Sequence, residues 1–262
     1  MPTTLVKEVF FRTSTQLHDI NPQFVRWTQR EKIGYFNDGC KAIAKYLPSS
    51  CARVDAFKLE PGTRQFIGLI PAARVRTGDG STATDVRGNF LQSLTRNMGA
   101  DGQTPGRVIR IVDREVMDAN NPAWHTEEDS VVTAFMYDPR FPKYLYVYPA
   151  VPNGQDVWVE GSMLIDPPEL AVPGSANYYA ANGSATEVIP IDDRYVDELV
   201  QYILARCYMK DAEFAGNERQ AVIHTNAFVT SINAIGTALN GVNPNLRSLP
   251  FSPNVPKQQP AG

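Results

Sequence analysis

The chain has 262 residues, 43% of them hydrophobic and 20% charged, which suits a globular protein with one core or one core carrying a large insertion. Lys and Arg number 25 against 28 Asp and Glu, a net charge of −3 that excludes the strongly basic surface needed for sequence-independent nucleic-acid binding. Three scattered cysteines, Cys40, Cys51 and Cys207, have no C-x-x-C spacing, which excludes a disulfide framework and a zinc knuckle.

The first residues, Met1-Pro2-Thr3-Thr4, form no charged-then-apolar signal region, and no apolar run reaches the roughly 18–20 residues of a membrane span. The expectation is a soluble protein made in a reducing cytosol, with no membrane partner. Leu5, Val6, Val9, Phe10 and Leu17 predict a first helix within 4–17, broken by His18-Asp19-Ile20-Asn21-Pro22 because proline disfavours helix in the residue before it. Thr28-Gln29-Arg30-Glu31 is a capping box, in which the Thr28 hydroxyl accepts from the Glu31 amide and Glu31 reaches back. Ile33, Phe36, Cys40, Ile43, Ala44 and Leu47 then recur at helical spacing until Pro48.

From residue 51 the pattern changes to strands. Arg53–Leu59 and Arg64–Ile70 flank the turn Glu60-Pro61-Gly62-Thr63, and Phe90–Met98 predicts another strand. Val108–Asp118 is expected to be a short helix. Val131–Tyr137, Tyr144–Tyr148 and Asp156–Ile165 follow as an expected antiparallel meander, the second alternating Tyr144, Tyr146 and Tyr148 with Leu145 and Val147.

After a Pro/Ala/Gly/Asn-rich stretch at 166–189, a second helical pair is predicted. Asp192, Asp193, Asp197 and Glu198 open its first helix and Arg206 and Lys210 lie near its end, matching the helix dipole at both poles. Gly216 is a stop, and Asn217-Glu218 opens a last helix with Ala221, His224, Phe228, Ile232 and Ile235 on one side. Residues 240–262 hold Pro244, Pro250, Pro253, Pro256 and Pro260 and no acidic residue, and read as an extended tail with apolar anchors Leu246, Leu249, Phe251 and Val255.

These elements predict an α+β fold: a helical bundle from the N- and C-terminal helices, an antiparallel β insertion and an extended C-terminal tail. The divisions expected are N-terminal helices over 1–50, the β-rich insertion over 51–165, a connecting loop over 166–189, C-terminal helices over 190–239 and the proline-rich tail over 240–262.

Motifs for chemistry are sparse. There is no G-x-S-x-G elbow, P-loop or G-x-G-x-x-G motif, so no catalytic residue and no cofactor are assigned. Asp113, Glu115 and Asp118 with His125, Glu127, Glu128 and Asp129 are the residues that most resemble a hard-cation ligand set, yet Thr126-Glu127-Glu128-Asp129-Ser130 reads first as a solvated loop, and no metal is assigned. Asp192-Asp193 reads as capping, His224 as a structural histidine, and Cys40 and Cys207 as small core residues. The strand aromatics Tyr144, Tyr146, Tyr148 and Trp158 are a candidate partner surface, since Tyr and Trp favour interface centres, with cross-strand packing as the other reading.

Arg26-Trp27-Thr28 followed by Tyr35-Phe36-Asn37-Asp38-Gly39-Cys40-Lys41-Ala42-Ile43 resembles the opening signature of tailed-bacteriophage head-to-tail adaptor (connector) proteins. Further stretches are similar in the same order: Glu60-Pro61-Gly62-Thr63-Arg64-Gln65, Arg96-Asn97-Met98-Gly99, Val112-Asp113-Arg114, Asn121-Pro122-Ala123-Trp124-His125, Tyr137-Asp138-Pro139-Arg140, Tyr146-Val147-Tyr148-Pro149 and Ile191-Asp192-Asp193-Arg194-Tyr195. The loop at 71–89 departs from the pattern.

The resemblance implies a non-enzymatic virion structural protein of the neck, assembled in the host cytoplasm. It implies a ring, typically twelve copies, that binds the portal protein and carries the tail tube or nozzle protein, with genomic DNA only as cargo through its channel. It also implies that the C-terminal tail reaches the portal and that Gly39 permits a close helix approach. The alternatives are a carbohydrate- or receptor-binding tail-associated β module using the strand aromatics, and a metal-dependent hydrolase using Asp113, Glu115 and His125.

Overall fold

A computed structural model describes residues 3–19, 26–78, 83–175, 178–180, 182–211, 213–214 and 216–242. Helix α1 (Val6–Gln16) buries Val6, Val9, Phe10 and Thr13, one face at helical spacing. His18 ends that segment in the left-handed region, φ 54°. Helix α2 (Gln29–Tyr46) starts from the complete Thr28–Glu31 capping box and buries Ile33, Phe36, Cys40 and Ile43.

Near the other end of the chain, α4 (Val196–Lys210) buries Val196, Leu199, Val200, Ile203, Leu204 and Cys207, and α5 (Asn217–Val242) follows Gly216, whose φ is 91°. Helix α4 packs against α1, α2 and α5. Their common core is completed by Trp27 and by Tyr179, Ala185, Ile189 and Ile191 from the irregular segment before α4.

Nine strands lie between among the described residues. A five-stranded sheet has the order β3–β1–β9–β4–β5, from β1 (Ala52–Lys58), β3 (Val75–Thr77), β4 (Gly88–Met98), β5 (Pro105–Val108) and β9 (Trp158–Ile165). A four-stranded sheet has the order β2–β8–β7–β6, from β2 (Gly62–Phe66), β6 (Arg110–Ile111), β7 (Ala134–Tyr137) and β8 (Tyr144–Val151). Inward residues of both sheets share a second core, with Phe57, Leu91, Val159 and Met163 from one and Phe135, Leu145 and Val147 from the other.

The architecture among the described residues is therefore mainly β, two sheets of nine strands with five α-helices, and the expected helical bundle bearing a β insertion is corrected. The reason is where apolar faces find cover. Loop residues complete the helical core, whereas the two sheets close a core of their own by facing each other.

The expected meander is corrected too. Strands β7 and β8 form its antiparallel hairpin, but β9 crosses to the other sheet and pairs with β1 and β4. Nor is the β part wholly antiparallel, since β6 runs parallel to β7. The helix expected over Val108–Asp118 is two short edge strands followed by α3 (Arg114–Asn120), which starts where the Asp113 carboxylate accepts the Glu115 amide. At the C-terminus α5 continues through Val242, past the expected helix end at 239. The tail anchors Leu246, Leu249, Phe251 and Val255 lie outside the described residues.

Candidate interaction surfaces

Alternation along β8 turns Leu145 and Val147 into the core and sets Tyr144, Tyr146 and Tyr148 on the other face. Opposite them stand Arg64 and Phe66 of β2 and Met136 and Ala134 of β7. Most of this face is covered by the chain that follows β6. Trp124 is fully buried there and meets Tyr146 edge to face, ring centroids 6.1 Å apart. Its Nε1 donates to Asp118 Oδ1 at 2.7 Å, and the His125 ring stacks on it at 3.6 Å. His125 Nδ1 in turn lies 3.0 Å from Thr63 Oγ1, and the Arg114 guanidinium sits 4.5 Å from the Tyr146 ring centre. Tyr148 donates its hydroxyl to Glu127, which also takes the Asn121 amide at 2.7 Å, and both bonds hold the Glu127 carboxyl below the usual range.

Four of the residues that looked most like cation ligands thus act as a brace. Asp113 caps α3, Asp118 anchors Trp124, His125 stacks, and Glu127 fixes Tyr148 and Asn121. Among the described residues no group of three or more His, Cys, Asp or Glu side chains is placed to hold a metal ion. What stays open on the tyrosine face is its tip: Tyr144 and Phe66 are exposed with ring centroids 5.2 Å apart, and Phe141 is more exposed still. Trp158 is elsewhere. It starts β9 in the five-stranded sheet, is 4% exposed, and carries the Arg76 guanidinium 5.0 Å from its ring centre.

The remaining titratable groups are structural in their contacts. Asp192 accepts the Arg194 amide, while the Thr4 amide, with the Thr3 amide and hydroxyl, holds Asp193 well below the usual carboxylate range. Burial lowers the His224 pKa; its Nδ1 lies 2.6 Å from Gln201 Oε1 and its ring stacks on Tyr208. All three cysteines are free and buried, and burial pushes the Cys207 thiol up to about 12. A cleft of about 1310 Å³ is lined by Lys41 of α2, the 49–53 stretch, the 84–87 loop, the 165–169 stretch and the residues leading into α4. Two of its charged pairs close locally, Lys41 with Glu169 and Arg194 with Asp192.

The surface that sequence reasoning passed over is on α5. This helix of 26 residues is about 39 Å long and presents Ala221, Phe228 and Ile232 to the core. Its other side leaves Val222 54%, Ile223 48% and Val229 47% exposed. From Gln220 to Val242 it contains no Asp, Glu, Lys or Arg, and that gap was the signal available in the sequence. The exposed sides of the other long helices all carry charge, among them Glu8 and Arg12 on α1, Arg30 and Lys45 on α2, and Asp197 and Arg206 on α4. Among the described residues no helix is long and apolar enough to cross a membrane, so α5 is not explained as a span.

No curated protein matches this sequence. A family model described as SU10 adaptor protein matches residues 4–248, a range that takes in every described helix and strand, and the chain belongs to that family, in keeping with its motif resemblance to phage head-to-tail adaptors.

Proposed function

We propose that this chain is a virion structural protein that forms a ring under the portal and joins it to the tail. The observation that carries the reading is family membership over residues 4–248. In this reading twelve copies form the ring at the neck, the β-rich part of 51–165 faces outward or tailward to meet the tube or nozzle protein, and the tail beyond α5 docks on the portal through Leu246, Leu249, Phe251 and Val255. A tail rich in proline loses comparatively little entropy on docking, because proline has already restricted it. DNA passes through as cargo, and a chain of net charge −3 has little reason to hold it. The exposed tip of Phe66, Phe141 and Tyr144 is the part of the aromatic surface available to a partner.

Mass photometry of the purified chain, alone and with the portal ring of the same virus, tests this. The expected result is a portal species that gains about a dozen copies of 29.0 kDa and loses them when residues 243–262 are deleted. A portal that gains no mass with folded protein, across several salt concentrations, overturns it.

A further inference from the structure

We infer that α5 is a hinged arm, able to leave α4 as a unit about Gly216 while α1, α2 and α4 stay folded. The motion belongs to the single chain and needs no ring, although in the ring reading the portal-docking tail is carried on this arm. Anchoring of the helices is unequal. Eight of the fifteen residues of α4 are buried. Of the described side chains of α5 only Ala221, Phe228 and Ile232 are, with Ile235 and Leu239 partly buried beside them. Elements with few buried apolar contacts are the ones that open below the global unfolding free energy.

The seam between α4 and α5 is polar where the core is aliphatic. Val196, Leu199, Val200, Ile203 and Leu204 of α4 are buried in the common helical core. Toward α5 the same helix offers Gln201, whose Oε1 lies 2.6 Å from His224 Nδ1, and Tyr202 and Tyr208, whose rings meet Phe228 and His224. Glu198 accepts the Ser231 hydroxyl through Oε1, while its buried Oε2 has no hydrogen-bond partner among the described residues. Water replaces such hydrogen bonds on opening, so their net contribution to closure is small. The unpaired oxygen acts the other way: it penalises the closed state and gains water in the open one.

The far side of the helix does not pin it either. From Gln220 to Val242 no Asp, Glu, Lys or Arg is present, and Val222, Ile223 and Val229 stand out to solvent. No solvated charged stripe therefore fixes one orientation, as it does on an ordinary amphipathic surface helix. The base of the arm, by contrast, is held. Trp27 Nε1 donates to the Cys207 carbonyl at 3.1 Å. Arg26 pairs with Asp211 at 2.7 Å, its guanidinium 4.8 Å from the Phe214 ring centre. Motion then falls on Gly216, at φ 91°, where a Cβ would meet nothing within 4 Å among the described residues.

Hydrogen exchange of the full chain, read by mass spectrometry of peptic fragments, tests this. The α5 amides should exchange together, about 100-fold or more faster than those of α1, α2 and α4, because local opening exposes them without global unfolding. Glu198→Leu with Ser231→Ala removes the unpaired acceptor and its donor, and should slow α5 exchange about 10-fold with α1 and α2 unchanged. Exchange of α5 at the rate of α4 overturns the hinged arm. So does a gradient of rates rising from Gly216 toward Val242, which is end fraying, and so does a folded double variant whose α5 exchanges as fast as wild type or faster. The wild-type profile decides by itself if the double variant fails to fold. All of these are read on the chain without portal, so a portal that gains no mass removes the ring reading and leaves the arm standing.

Discussion

The Lys32 ammonium lies 3.8 Å from an Asp19 carboxylate oxygen inside the helical core, where the two side chains are 0% and 8% exposed. Lys32 also donates to Ser14 Oγ at 2.7 Å, and Asp19 accepts the Trp27 amide, so this ion pair joins the end of α1 to α2. Removing one buried charge strands the other, at a cost of about 3–5 kcal/mol, whereas neutralising both removes most of that penalty. Lys32→Met should therefore destabilise strongly in urea, and Lys32→Met with Asp19→Asn should recover most of the loss.

The same lysine gives a pH signature. Burial lowers its pKa below the ordinary 10.5, partly opposed by Asp19. Between the folded and unfolded values the unfolded chain binds more protons, so the lysine makes stability rise with pH up to about 10.5. Stability of wild type minus that of the double variant should climb through this alkaline window. A flat difference would refute the burial effect.

Gly39 and Gly34 sit on the same helix with opposite surroundings. A Cβ at Gly39 would come within 2.7 Å of Leu199 Cδ1 and 3.0 Å of Tyr202 Cδ1, while one at Gly34 would meet nothing within 4 Å. Leu199 is fully buried and has little room to yield. Gly34→Ala should raise stability by about 0.5–1 kcal/mol through helix propensity. Gly39→Ala should lose that gain to overpacking, ending about 1 kcal/mol or more below wild type. Thermal unfolding of the pair checks this, and equal behaviour would remove the close approach of α2 to α4 as the reason for Gly39.

His224 supplies an acid-side prediction. Its pKa is lowered by burial, so below about 6.5 the unfolded chain takes up a proton more readily than the folded one, and stability falls with falling pH. His224→Gln should flatten the drop in urea midpoint between pH about 7 and 5. An unchanged slope would place the acid sensitivity on carboxylates.

Trp124→Ala should cost about 3–5 kcal/mol, since it empties a fully buried site and removes the anchor of the chain folded over the tyrosine face. Tyr146 should then become more accessible to acrylamide quenching or nitration, with Tyr144 little changed. Similar gains at both would mean that the brace does not set their difference.

Where structure depends on residues a few positions apart, the sequence was enough. The Thr28–Glu31 capping box, the stripe of Ile33, Phe36, Cys40 and Ile43, and the alternation of Tyr144, Tyr146 and Tyr148 with Leu145 and Val147 each express a period of 3.6 or 2, and each stands where it was expected. The adaptor motifs were likewise legible, because they are strings of neighbouring residues.

Choices between distant partners were not legible. Trp158 and Tyr148 have similar local patterns, but β9 leaves the hairpin to pair with β1 and β4, which buries Trp158 in one sheet while Tyr148 stays on the other. Nothing within either strand encodes that choice; it depends on which apolar faces close over each other once the whole chain has collapsed. The acidic residues around His125 show the same division. Their composition is that of a ligand set, and only the placement of Trp124 and Tyr148 beside them turned the carboxylates of Asp118 and Glu127 to holding aromatic side chains. Sequence alone thus determined the strongly periodic helices and strands and the family, and tertiary packing decided the edge strands before α3, the two-sheet architecture and which side chains remained for partners, because burial is settled by contacts far apart along the chain.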